Sequence, residues 1–183
     1  METIMTKKSA SEKMVELEDK YGAHNYHPIP VVIDRGEGVF VWDMDGKRYY
    51  DFLSAYSALN QGHRHPKIMK AFLEQAEKLT LTSRAFYNSC LGEYEQFITD
   101  YFGYEKVLPM NTGAEGVETA LKLCRKWAYE KKGVPANDAK IVVCENNFHG
   151  RTITIISGST DPDATTNFGP FTPGSLTIPY NNS

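Results

Sequence analysis

Cysteine, long apolar runs and an excess of charge of one sign are all scarce in this sequence. The three cysteines, Cys90, Cys124 and Cys144, stand far apart without a CxxC pair, which argues against a disulfide framework or a zinc site and favours a reducing compartment. A formal net charge of −3 over 183 residues offers no basic surface for nucleic acid. No apolar stretch approaches the ~20 residues that a membrane-spanning helix needs. We therefore expect a small-molecule or protein partner, and neither nucleic acid nor a membrane.

The first twenty residues lack the apolar core of a signal peptide. Acidic side chains recur there, whereas mitochondrial transit peptides contain few of them; they are Glu2, Glu12, Glu16, Glu18 and Asp19. This pattern favours a cytoplasmic location.

The first hundred residues predict a small α+β arm. We expect a charged helix over residues 9–21, extended backbone at residues 27–30, a hairpin over residues 39–52 and an amphipathic helix over residues 66–79. The dipeptide Asp45-Gly46 supplies the hairpin turn, because glycine accepts a positive φ there.

The second half of the sequence predicts an α/β domain. A helix over residues 91–102 is followed by a strand over 106–110, a helix over 114–132 and a strand over 140–145. Strand, helix and strand in this order form a βαβ unit, which implies a mostly parallel sheet with helices on both faces.

The expected domain boundary lies where these two patterns meet. Residues 1–103 would form the arm, and residues 104–183 would form the first part of a larger, truncated α/β domain. The tail over residues 161–183 is rich in Pro, Gly, Asn, Ser and Thr, so no helix or strand is expected in it.

The junction at residues 111–114 is suited to an anion. Thr112 is a good N-cap, and Gly113 and Ala114 present backbone N–H groups at the positive end of the helix dipole without bulky side chains. The loop lacks the Lys-Ser/Thr ending of a Walker motif and the second glycine of a dinucleotide fingerprint, which favours a smaller phosphate ligand. A Thr-Gly pair by itself is far more often a simple helix cap than a ligand site.

A second loop follows the strand over residues 140–145. Because ligands of open α/β sheets lie beyond the carboxyl ends of the strands, we expect this loop and the Thr112-Gly113 loop to meet over one crevice. Phe148 is suited to stack on a planar ring, Gly150 permits close backbone approach, and the Arg151 guanidinium matches a carboxylate. Taken singly, Phe148 is more typical of a core position and Arg151 of a surface ion pair, but the shared crevice favours a ligand site.

His63 and His65 precede Pro66 at a spacing of two residues. A pair of histidines without a third ligand is typical of a turn before a helix. We therefore assign no metal site to them.

Longer segments of the sequence resemble the class III, fold-type I aminotransferases, which depend on pyridoxal 5'-phosphate, and within them the ornithine aminotransferase branch. The similarity runs over almost the whole chain. The segments that carry it are residues 22–28, 41–43, 51–58, 60–63, 81–88, 110–113 and 148–152. As a set they are highly specific.

The resemblance implies a role for eight residues. The residues expected to bind pyridoxal 5'-phosphate are Thr112, Gly113, Ala114, Phe148 and His149. The residues expected to bind the substrate are Tyr26, Tyr56 and Arg151. By the resemblance, Gly113 and Ala114 hold the phosphate and Phe148 covers the ring, while Arg151 and Tyr26 grip the α-carboxylate of ornithine.

The resemblance also implies an activity, namely that of an ornithine:2-oxo-acid aminotransferase, a homodimer that passes the δ-amino group of ornithine to a 2-oxo acid. His149 leaves an acetylornithine or 4-aminobutyrate aminotransferase as an alternative, because some ornithine enzymes of the family carry tryptophan at this position. A non-catalytic phosphate-binding or interaction module is the alternative of another class. The lysine and the acidic residue that perform the family's cofactor chemistry match nothing in this chain, so we expect residues 1–183 alone to be inactive.

Overall fold

The computed structural model of the protein describes residues 8–181, so the first part of the acidic N-terminal segment lies outside the described residues. The chain forms two compact units, Met1–Tyr87 and Asn88–Ser183. The domain boundary expected at residues 103 and 104 stays a prediction, because compact units of this chain do not by themselves define the domains of a longer protein.

The first unit begins with the predicted charged helix, α1 (Ala10–Tyr21). Ser9 caps the helix: its side chain accepts a hydrogen bond from the Glu12 amide at 3.2 Å, and the Glu12 carboxylate accepts one from the Ser9 amide at 2.7 Å. This reciprocal pair satisfies two N–H groups that have no partner within the helix itself.

A three-stranded antiparallel sheet follows, with β1 (Ile33–Glu37), β2 (Phe40–Asp43) and β3 (Arg48–Tyr50) in sequence order. The hairpin of β2 and β3 confirms the predicted one, and Gly46 in its turn has a φ of 87°. The sequence pattern does not predict β1, because glycine and acidic residues have low strand propensity. Pairing with β2 supplies the hydrogen bonds that this segment needs.

The segment after the sheet contains an unusual turn. The element α2 (Ser54–Ser57) has left-handed backbone at each of its four residues, with φ values of 47°, 49°, 56° and 70°. Such a run is rare for residues other than glycine and costs conformational energy. The amphipathic helix α3 (Pro66–Lys78) then confirms the prediction for this region, with Pro66 in the first turn where its missing N–H does no harm.

The second unit combines helices with a short parallel sheet. Its longer helices, α4 (Leu91–Phe102) and α5 (Gly113–Lys132), confirm the two predicted ones. Strand β4 (Ile141–Cys144) confirms the predicted second strand, and the short helices α6 (Ile153–Ile156) and α7 (Pro162–Thr165) follow it. Strand β5 (Ser175–Ile178) then pairs with β4 in parallel.

Two predictions about the strands of this unit are wrong. Residues 106–110 form no strand, and the parallel partner of β4 is instead β5, within the tail that was expected to contain no element. A strand requires a partner for its backbone groups, and local apolar character does not supply one. Residues Ser175–Ile178 lie among prolines and glycines and still form a strand, because β4 provides hydrogen-bond partners for their backbone groups.

The described residues bury little apolar surface. The buried hydrophobic residues are Val41 on β2, Ala139 just before β4, and Ile155 and Ile156 on α6. The small core of the second unit lies where α5 and α6 meet β4: Val117 and Leu121 line the same narrow hollow as Val143. No helix in the described part of the chain is both long and apolar enough to span a membrane.

Candidate functional site

The start of α5 is capped from both directions. The Thr112 side chain accepts a hydrogen bond from the Glu115 amide at 3.2 Å. The Glu115 carboxylate in turn accepts hydrogen bonds from the amides of Asn111 at 2.8 Å and Thr112 at 3.1 Å. The sequence Thr-x-x-Glu produces this capping box locally, and it fixes the direction in which the helix begins.

The capping box leaves two first-turn amides available. Among the described residues, the N–H groups of Gly113 and Ala114 have no hydrogen-bond acceptor. A Cβ added at Gly113 would meet no atom within 4 Å, so there is open space beside the Gly113 Cα. These amides lie at the positive end of the dipole of a twenty-residue helix. Open amides at the start of a helix can bind an anion.

The loop between β4 and α6, residues 145–152, contacts this helix start. Gly150 has a φ of 131°, and a Cβ added there would lie 3.1 Å from the Ala114 Cβ and 3.1 Å from the Ile155 Cδ1. Only glycine permits so close an approach in this conformation. One turn farther along α5, the Thr152 hydroxyl donates a hydrogen bond to the Glu118 carboxylate. The two segments singled out in the sequence are therefore neighbours.

Phe148 and Arg151 lie on this loop with their side chains towards solvent. The Phe148 ring is 75% exposed, and the Arg151 guanidinium carbon is 6.0 Å from its centroid. This distance is at the outer limit of a cation–π contact. Phe148 is thus not a core residue, and an open aromatic face stands beside a cation.

His149 is exposed and lines the narrow hollow between α5 and β4, together with Val117 and Thr154. The sequence did not single out its neighbour Asn147, which is half-buried. The Asn147 side-chain amide donates hydrogen bonds to the Cys144 carbonyl at 2.6 Å and to the Gly158 carbonyl at 2.9 Å. An asparagine within three residues of the end of a strand is the signal that could have indicated such a bond, because its side chain readily reaches nearby backbone groups.

Tyr26 and Tyr56 belong to the first unit. Tyr26 lines a cavity of about 380 Å³ that lies between α1 and the extended segment before β1. Tyr56 is 79% exposed and lies within the left-handed turn α2, with φ of 56° and ψ of 46°. Residues in such sparsely populated conformations are enriched at functional sites.

His63 is hydrogen-bonded to a carboxylate. Its Nε2 lies 2.7 Å from Asp51 Oδ2. The pKa of Asp51 is lowered, first by the hydrogen bond from the Ser54 amide and then by that from His63. Within residues 8–181, no three His, Cys, Asp or Glu side chains come together in a group that could hold a metal ion.

Comparison with known proteins identifies the family. Residues 21–183 match the family model "Aminotransferase class-III". The mitochondrial ornithine aminotransferase of Drosophila ananassae is 62% identical over 174 residues, which are 95% of this chain and 40% of that protein. The chain therefore spans about 40% of the length of the curated relatives that it matches.

Solved structures with the same fold include two kinds of enzyme. The ornithine aminotransferase of Toxoplasma gondii, whose active site is described as partially occupied by PLP, has a TM-score of 0.92 and 51% identity, over 94% of this chain and 40% of that one. The acetylornithine aminotransferase of Elizabethkingia anophelis has a TM-score of 0.79 and 71% identity, over 94% of this chain and 41% of that one.

The expected cytoplasmic location is wrong. The ornithine aminotransferases of Drosophila ananassae, Drosophila melanogaster and Rattus norvegicus are all named mitochondrial. Free cysteines fit any reducing compartment, so they do not distinguish the cytoplasm from other such compartments. The acidic residues at positions 12–19 lie in the folded helix α1 and report on that helix, not on targeting.

The predicted fold class is confirmed, because the structural neighbours are fold-type I enzymes and the mixture of helices and sheet corresponds to the N-terminal part of that fold. Enzymes of this family depend on pyridoxal 5'-phosphate and use amino acids and 2-oxo acids as substrates. The family model covers most of the chain. The chain belongs to the class-III aminotransferase family.

Proposed function

We propose that the complete protein containing this chain is an ornithine:2-oxo-acid aminotransferase and that this chain supplies the phosphate site of its cofactor. The observation that carries the proposal is the contact between the start of α5 and the loop 145–152, in which Gly150 approaches Ala114. This contact joins an anion site, an exposed aromatic ring and a guanidinium within one unit. The similarity to ornithine aminotransferases from several organisms supports the choice of substrate.

The residues at the start of α5 fit a phosphate group. The amides of Gly113 and Ala114 donate to phosphate oxygens, and the helix dipole favours the negative charge. Glu115 is turned back towards Asn111 and Thr112 by its two hydrogen bonds, so its carboxylate is held by the cap. A side chain at position 113 would fill the open space that the phosphate needs.

On this loop, Phe148 contacts the cofactor ring and Arg151 contacts the substrate carboxylate. When bound, pyridoxal phosphate supplies a carbonyl carbon that accepts the amino group and an electron-withdrawing ring. Phe148 covers one face of that ring and excludes water from it. Arg151 offers a planar pair of donors to the α-carboxylate of the substrate, which directs the distal amine towards the cofactor.

Tyr26 and Tyr56 are proposed substrate residues on the strength of the family resemblance. Tyr56 is supported further by its strained backbone, since strain of this kind is retained mainly where function requires it. A homodimer of the complete protein is part of the same proposal, and size-exclusion chromatography with light scattering tests it.

N-acetylornithine is the second candidate substrate. His149 and the 71% identity to the Elizabethkingia anophelis acetylornithine aminotransferase favour it. An acetylated α-amino group requires room beside the carboxylate, so the two candidates differ in the pocket around that nitrogen and not at the phosphate site. The 4-aminobutyrate alternative lacks a specific observation in its favour.

Substrate specificity of the complete protein tests the proposal. The purified protein is reconstituted with pyridoxal phosphate, its visible absorbance is recorded, and kcat/KM is measured with ornithine, N-acetylornithine and 4-aminobutyrate in the presence of 2-oxoglutarate. We expect a protein-bound cofactor band and the highest kcat/KM with ornithine. A higher value with N-acetylornithine would establish the second candidate, and absence of both band and activity would refute the aminotransferase assignment.

A further inference from the structure

The loop 145–152 is fastened to the rest of its unit at three points. Near its end, Thr152 is hydrogen-bonded to Glu118, and in its middle Gly150 lies against Ala114. Near its beginning, the Asn147 side chain holds two backbone carbonyls. The exposed Phe148 lies between Asn147 and Gly150 in the chain. Its position therefore depends on how these two residues hold the loop backbone.

The two hydrogen bonds of the Asn147 side-chain amide both go to backbone carbonyl groups. Its two acceptors, the carbonyls of Cys144 and Gly158, belong to the end of β4 and to the turn after α6. A carbonyl oxygen only accepts hydrogen bonds, and the Nδ2 group of asparagine carries two N–H donors, so one side chain satisfies both. Gly158 is buried, and a Cβ added there would lie 3.0 Å from a Val143 methyl group, so this turn is pressed against β4.

We infer that Asn147 is a positioning residue that sets the orientation of Phe148 against the cofactor ring by joining the end of β4 to the turn after α6. The inference rests on the proposed function, because it assumes that Phe148 covers that ring. Asn147 itself touches neither cofactor nor substrate in this role. Replacement of Asn147 should therefore change how Phe148 is oriented against the cofactor ring while the fold is retained.

Replacing the amide by a carboxylate of the same shape tests the inference. In Asn147→Asp, an acceptor-only, charged group faces two carbonyl oxygens, so both hydrogen bonds are lost and repulsion replaces them. The variant is made in the complete protein loaded with pyridoxal phosphate. We expect about tenfold faster cofactor release and a changed visible circular dichroism of the bound cofactor at equal occupancy, because Phe148 no longer faces the ring in its original orientation.

The neighbouring Asn146→Asp is the matched control. Its backbone amide is hydrogen-bonded to the Thr160 hydroxyl at 2.9 Å, whereas its side chain has no hydrogen bond among the described residues. Its φ of 56° is one that aspartate tolerates. The same charge is thus introduced one residue earlier, and we expect cofactor release within about twofold of the wild-type rate and an unchanged circular dichroism signal.

The outcomes separate the inference from the proposed function. Equal release rates and spectra in Asn147→Asp and Asn146→Asp, with a wild type that binds the cofactor, overturn the inference alone. A wild type without a cofactor band overturns the proposed function. If Asn147→Asp fails to fold, Asn147→Ala replaces it, because alanine removes the two donors without adding charge. A changed circular dichroism of the bound cofactor in Asn147→Ala supports the positioning role, and an unchanged one overturns it.

Discussion

His63 Nε2 and Asp51 Oδ2 are 2.7 Å apart, and Asp51 lies three residues before the left-handed turn α2. The second oxygen of Asp51 accepts hydrogen bonds from the amides of Leu53 at 3.1 Å and Ser54 at 2.8 Å. His63 is fixed in its turn by reciprocal backbone hydrogen bonds with Gly38, at 2.8 and 3.0 Å. Asp51 therefore joins the sheet of the first unit to the strained segment that contains Tyr56.

The Asp51–His63 pair predicts an acid-sensitive contribution to stability. The pKa of Asp51 is lowered from 3.8, so its ionised form stabilises the folded state. This contribution is fully present above the unfolded pKa of about 3.9 and is lost as the pH falls through the lower folded pKa. The difference in free energy of unfolding between the wild type and Asp51→Asn, measured with urea, should be largest near neutral pH and shrink below about pH 4.

Asp34→Asn is the control for this experiment. Asp34 lies in the exposed part of β1, and its carboxylate accepts no hydrogen bond among the described residues. We expect its effect on the free energy of unfolding to be small at both pH values. An Asp51→Asn variant as stable as Asp34→Asn at neutral pH would contradict the role assigned to the pair.

The open space at Gly113 predicts a selective loss of cofactor binding. In Gly113→Val the new side chain enters a region without protein atoms, so it should disturb the phosphate and not the fold. We expect the dissociation constant for pyridoxal phosphate to rise at least about tenfold while the free energy of unfolding of the apoprotein changes by no more than about 1 kcal/mol. Absorbance titration and chemical denaturation of the complete protein measure the two quantities.

Gly116→Val is the matched control, because position 116 lies one turn farther along α5 and also has open space around it. It carries the same cost in helix propensity but lies away from the proposed phosphate. Equal losses of cofactor affinity in the two variants would argue against a phosphate at the start of α5.

The capping box at Thr112 predicts a modest effect on stability. Thr112→Ala removes the acceptor for the Glu115 amide and should lower the free energy of unfolding by about 1 kcal/mol. Thr112→Ser keeps the hydroxyl and should remain within about 0.5 kcal/mol of the wild type. Guanidinium denaturation of the complete protein compares the three proteins, and a Thr112→Ala variant as stable as the wild type would show that the cap is unimportant.

The Arg151 guanidinium predicts discrimination between substrates with and without a carboxylate. In Arg151→Lys the charge remains but the planar pair of donors is lost, so kcat/KM for ornithine should fall about tenfold or more. The value for 1,4-diaminobutane, which lacks the carboxylate, should change little. Steady-state kinetics with both amines gives this ratio, and equal losses with the two amines would mean that Arg151 does not bind the carboxylate.

The exposed apolar surface predicts that residues 1–183 associate when they are produced alone. Large apolar side chains that are more than 60% exposed include Ile29, Phe52, Phe72, Leu81, Phe97 and Tyr101. Few monomeric proteins expose so many apolar groups, and association removes them from water. Multi-angle light scattering should detect oligomers or aggregates at micromolar concentration, and a monodisperse monomer would contradict this expectation.

Local signals in the sequence were sufficient for most of the elements. The helices α1, α3, α4 and α5 follow from caps and apolar periodicity, because their hydrogen bonds join residues four positions apart. The hairpin of β2 and β3 follows from its glycine turn. The strand expected at residues 106–110 and the missed β5 show the limit of such signals, because a strand exists only where a second segment satisfies its backbone.

The sequence by itself determined the family of this protein, the capping box that begins α5 and the open amides of Gly113 and Ala114, because each depends on residues close together in the chain. Only the tertiary structure decided that Gly150 lies against Ala114, that Asn147 joins β4 to the turn after α6, and that β5 pairs with β4. Those relationships connect distant segments, and the exact partners depend on the packing of the whole unit.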